Sequence, residues 1–91
     1  MDTYLRRPAS GEAPESLVIF LHGLGANGQD LIGISQYWAQ ALPNTEFISP
    51  DAPEHCDMAP ADMPDSRQWF SMQDRRPEYL LQGVKKGALY L

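Results

Sequence analysis

Leu17-Val18-Ile19-Phe20-Leu21-His22-Gly23-Leu24-Gly25-Ala26-Asn27-Gly28 is the stretch on which the reading of this chain turns. Its first five residues are all apolar, several of them β-branched or aromatic. Such a run suits a strand buried on both faces of a parallel sheet. The chemistry then changes within one residue, to a histidine and three glycines in six positions. Glycine lets the backbone turn sharply and approach a ligand with no Cβ in the way. A buried strand ending in such a turn before a helix is where α/β proteins place their working groups.

Working outward, residues 1–16 are polar and turn-rich, with Pro8, Gly11 and Pro14. Residues 4–7 read as a short edge strand, and 11–14 as the turn pairing it with 17–22. After the glycines, 29–42 reads as one helix, because Leu31, Ile34, Trp38, Ala41 and Leu42 form a single stripe. Asn27 suits its N-cap and Pro43 its end. Gly33 inside that helix costs about 1 kcal/mol relative to alanine, which points to a close packing contact there. Residues 46–50 form a second strand, and a right-handed crossover would set it parallel to the first.

Residues 50–68 hold four prolines among five acids and read as a long ordered or semi-ordered loop. Aromatic character returns at Trp69-Phe70. Pro77 then opens a last helix over 77–91, with Leu80, Leu81, Val84, Ala88 and Leu91 as its apolar stripe. Gly83 and Gly87 lie one turn apart, so that helix can approach a neighbour closely. Two good strands and an amphipathic helix leave no obvious cover for both sheet faces. The 91 residues therefore read as one incomplete domain, the first part of a larger α/β unit.

The bulk properties narrow the function. At this length a chain buries only roughly 60–65% of its unfolded surface. Net charge is −5 and the basic residues form no face, which argues against a nucleic-acid partner. The longest apolar run is five residues, far short of a membrane span, and the N-terminus lacks the apolar core of a signal peptide. One cysteine forbids an internal disulfide, so a reducing cytoplasm is the expected compartment.

Gly23-Leu24-Gly25-Ala26-Asn27-Gly28 also fits G-x-G-x-x-G, with Asp51 near the end of the next strand, the outline of a dinucleotide-binding module. His22, the bulk of Ile32 and the stiffness of Pro50 weigh against it. The competing reading starts from His22-Gly23-Leu24-Gly25: an HG-type turn whose amide stabilises a developing oxyanion.

Three segments together, LVIFLHGLGANGQDLIG, FISPDAPE and QWFS in this order and spacing, resemble the phospholipase/carboxylesterase family of α/β-hydrolases, which includes acyl-protein thioesterases. The similarity runs from Leu17 to the C-terminus. It implies the N-terminal portion of an α/β-hydrolase fold and serine-based hydrolysis of carboxylic esters or thioesters. It also implies a small-molecule acyl substrate, no metal or organic cofactor, and room for a homodimer in a full-length chain. On this resemblance the Leu24 N–H lines the oxyanion hole, while Trp69 and Phe70 wall the acyl pocket. His22, Gly23 and Gly25 build the turn. The chain departs from the family pattern in one respect: none of its serines lies in G-x-S-x-G. The triad, in the order Ser, Asp, His, is thus expected outside these residues, and the chain alone is expected to be inactive. A truncated, non-catalytic remnant is the other reading of the same absence. The segment 61–65 is longer than the usual loop before the W-F pair.

His22 reads as a structural histidine holding the turn rather than a catalytic base. His55 and Cys56 are neighbours with diverging side chains, a poor basis for a zinc site or a nucleophilic pair. Met58 and Met63 suit either the acyl pocket or the underside of the loop.

Overall fold

The strand Thr45–Pro50 is the central one of the sheet. The computed structural model describes residues 2–91. In chain order the elements are β1 (Thr3–Arg6), β2 (Ser16–Ile19), α1 (Gly28–Ile32), α2 (Ser35–Trp38), β3 (Thr45–Pro50), β4 (Glu54–His55), β5 (Arg67–Gln68) and α3 (Pro77–Tyr90). The main sheet has the order β1-β3-β2, and β4 pairs with β5 in a separate two-stranded ladder. As expected, β2 and β3 are parallel, with Val18 opposite Phe47 and Ile19 opposite Ile48. Side chains alternate along β3: Thr45, Phe47 and Ser49 are buried and their neighbours half-buried.

Three expectations need correction. First, β1 pairs antiparallel with β3 rather than with β2. The segment between β1 and β2 does not fold back as a hairpin. It is drawn across the N-terminal end of β3 by Ser10 N–H to Pro43 O and Glu15 N–H to Asn44 O. At the other end Asp2 and Asp51 bind each other through Asp51 N–H to Asp2 O (2.7 Å) and Asp2 N–H to Asp51 Oδ2 (3.1 Å).

Second, the single helix over 29–42 is two short ones. Asn27 does cap α1, in a reciprocal capping box with Asp30. The helix then breaks at Gly33-Ile34, where Ser35 Oγ–H donates to Ile32 O and accepts from Arg6 Nε–H of β1. A serine hydroxyl bonding back to the preceding turn competes with the helical ladder. Gly33 makes no close packing contact: a Cβ there would meet nothing within 4 Å.

Third, only one face of β2 is covered. Phe20 packs on Phe47 (centroids 6.1 Å apart) and on Trp38 (5.6 Å), which places α2 against this face. On the other face Leu17, Ile19 and Leu21 each remain about half exposed. The α3 stripe is likewise open, with Leu81, Val84 and Leu91 exposed. The packed side of α3 is its glycine side: a Cβ on Gly83 would lie 2.8 Å from Phe70 Cβ, and one on Gly87 3.1 Å from Trp69 O. Among the described residues no helix is long and apolar enough to cross a membrane.

Candidate active site

The sheet delivers its β2 strand to the glycine turn, and the loop after β3 holds that turn from three sides. Ala26 N–H donates to Gly23 O (3.2 Å), closing a four-residue turn with Gly25 at φ +85° in its third position. That position in a type II turn requires positive φ, which is why glycine stands there. β5 clamps the turn's outer edge: Gly25 N–H donates to Arg67 O (3.0 Å), and Arg67 N–H to Ala26 O (2.8 Å). Arg67 Nε–H reaches Ala52 O (3.0 Å), and Asn27 Nδ2–H reaches Asp65 O (3.2 Å). Of the two readings of the 50–68 loop, ordered or semi-ordered, the ordered one holds where it meets the turn.

His22 is only 3% exposed, and both its ring nitrogens and its carbonyl have partners. Ala52 N–H donates to Nε2 (2.9 Å), so Nε2 is the unprotonated nitrogen and Nδ1 carries the hydrogen. Nδ1–H in turn donates to Gly23 O (2.8 Å). The His22 carbonyl accepts Trp69 Nε1–H (2.7 Å), and the two rings lie 5.1 Å apart. With both ring nitrogens engaged by backbone, this imidazole has no lone pair free to act as a base.

The Leu24 N–H donates to no group among the described residues, and the Leu24 side chain is exposed. Beside the turn runs an apolar groove of about 320 Å³ lined by Leu21, His22, Trp69, Phe70, Val84 and Gly87, among others. Trp69 and Phe70 therefore lie next to the glycine turn, along one wall of this groove. Met58 and Met63 are about half exposed and line no part of it.

Sequence reasoning missed Arg67 and Ala52, whose contribution is chiefly backbone. Gly28, the third glycine, approaches β3 so closely that a Cβ would lie 2.5 Å from Ser49 O. Asp51 accepts Gly28 N–H at Oδ1 (2.7 Å) and Asp2 N–H at Oδ2. The acid that a dinucleotide reading would place on a ribose is therefore spent on the protein's own backbone. His55 is exposed while Cys56 is buried, and no group of three metal-binding side chains comes together among the described residues.

The sequence pattern of the Phospholipase/Carboxylesterase family matches residues 8–89. The chain belongs to this family. The crystal structure of esterase PE8 is similar to it over 92% of the chain, with 34% identity and a TM-score of 0.75. The crystal structure of Zea mays acyl-protein thioesterase 2 is similar over 98%, with 26% identity and a TM-score of 0.60. The chain accordingly has part of an α/β-hydrolase fold. The chain spans 38% of the esterase and 37% of the thioesterase.

Proposed function

We propose that this family member contributes the oxyanion-stabilising turn and one wall of the acyl site in a serine hydrolase of carboxylic esters or thioesters. One observation carries this reading: the Leu24 N–H has no partner among the described residues, on a turn held at Gly23 O, Gly25 N–H and Ala26 O. A serine nucleophile attacking the carbonyl carbon pushes charge onto the carbonyl oxygen. A preorganised amide at that oxygen stabilises the transition state, and losing one such donor costs roughly 100- to 1000-fold in rate. The acyl-enzyme then forms with loss of the alcohol or thiol, and water releases the acid. Trp69 and Phe70 hold the acyl portion in the groove, in the way apolar walls with few polar groups hold ligands.

None of the serines of the chain sits in a G-x-S-x-G elbow, so in this reading the triad comes from sequence outside the 91 residues. The DNA downstream of codon 91 is the direct check. An elbow within the next few tens of codons supports the reading, and its product should hydrolyse p-nitrophenyl esters until a serine-directed phosphonate is added. The 91-residue chain should turn over none. Phosphonate-sensitive turnover by the purified chain alone would overturn the placement of the triad.

A further inference from the structure

Building on the oxyanion reading, we infer that Trp69 is a positioning residue for the Leu24 amide, acting through His22. The Leu24 N–H belongs to the same planar trans peptide as the Gly23 carbonyl, so the two point in opposite directions and fixing one fixes the other. His22 Nδ1–H holds that carbonyl at 2.8 Å, and the ring is held at its far nitrogen by Ala52 N–H. The peptide immediately before it, whose oxygen is His22 O, is held by the Trp69 indole N–H at 2.7 Å. Two successive peptides thus enter the turn in fixed planes, the second set by His22 and the first by Trp69. Trp69 is itself seated by Gly87, whose missing side chain leaves room for the Trp69 carbonyl. A pocket wall alone needs an aromatic surface and no donor. The indole N–H is what links this wall to the turn.

The test uses the 91-residue chain and its amide NMR spectrum. Trp69→Phe keeps an aromatic wall and removes the donor. The expected result is a shift of the Leu24 and Gly25 amide signals and about tenfold faster exchange of the Ala26 N–H, as the loss of one hydrogen bond implies. The Phe20 N–H, bonded to Ile48 O within the sheet, keeps its protection. If Phe20 also loses protection, the variant has unfolded. The same measurement is then made on synthetic chain carrying β-(3-benzothienyl)-alanine at position 69, which replaces only the indole N–H by sulfur. Unmoved Leu24, Gly25 and Ala26 signals in a folded variant overturn the inference. Failure of the hydrolase reading shows separately, as a completed reading frame that turns over no ester while these amides still respond.

Discussion

The buried N–H of Gly28 donates to the carboxylate of Asp51 at 2.7 Å, joining the first turn of α1 to the end of β3. The other oxygen of the same carboxylate accepts Asp2 N–H, so one side chain ties α1, β3 and the approach to β1. A carboxylate near a helix N-terminus also opposes the positive end of the helix dipole. Replacing it leaves a buried amide unsatisfied. Asp51→Ala is expected to lower stability by about 2–3 kcal/mol, measured by urea unfolding. Asp51→Asn keeps an acceptor facing Gly28 and should lose distinctly less. Equal losses in the two variants would mean that the Gly28 contact is not what Asp51 contributes.

Two glycines at the ends of α1, its first residue Gly28 and its C-cap Gly33, should respond to alanine with opposite signs. At Gly28 a Cβ would sit 2.5 Å from Ser49 O and 2.9 Å from Pro50 C, both of them backbone. Backbone of a central strand yields little, so Gly28→Ala is expected to cost about 1–3 kcal/mol, the range for overpacking. At Gly33 the backbone is already right-handed helical (φ −60°, ψ −27°) and a Cβ meets nothing. Gly33→Ala should therefore stabilise by roughly 0.5–1 kcal/mol and raise the helical signal in circular dichroism.

Features set by local chemistry could be read from the sequence. The Asn27 cap and the Pro77 start of α3 follow from residues within a few positions of where they act, and the parallel β2–β3 pair follows from the strand–helix–strand order and the handedness of the crossover. The tight approach of Gly83 and Gly87 was also legible, although its partners, Phe70 and Trp69, were not. What escaped was set by contacts distant in sequence. The Arg6–Ser35 bond helps break a helix that periodicity joins, and the Asp2–Asp51 pair assigns β1 to β3 instead of β2. β4 and β5 are two residues each, too short for any pattern. At the site, a histidine before a glycine turn was enough to suggest that its ring holds backbone. Arg67 left no signal, because it binds the turn mainly through its own peptide groups.

Gly25 sets the shape of the turn through φ +85°, which a residue with a Cβ adopts only at a cost of roughly 1–2 kcal/mol. No neighbouring atom obstructs a Cβ there, so the penalty is one of backbone conformation alone. Gly25→Ala should destabilise the chain by about that amount, while Gly25→Asn, which tolerates the left-handed region better, should cost less. In both variants amide exchange should quicken at Gly25 and Ala26 ahead of Phe20. An alanine variant as stable as the parent would show that the turn has relaxed to another form.

Asp57 gives the chain a pH-dependent contact between the loop after β4 and the loop after β5. Ser71 Oγ–H donates to Asp57 Oδ2 at 2.5 Å, and this bond, followed by one involving Gln68, holds the carboxyl below the usual carboxylate range. A carboxyl whose folded value is depressed binds fewer protons folded than unfolded. Its contribution is therefore present above the ordinary value near 3.8 and is lost as pH falls through the depressed one. The residue is exposed to solvent, so screening keeps the effect small. It is best followed at the residue itself, by an NMR titration of the Asp57 side-chain carbonyl. Ser71→Ala should move that titration back up towards the ordinary carboxylate value and leave the Phe20 N–H protected at neutral pH. An unchanged titration in Ser71→Ala would show that the hydroxyl does not hold this carboxylate in solution.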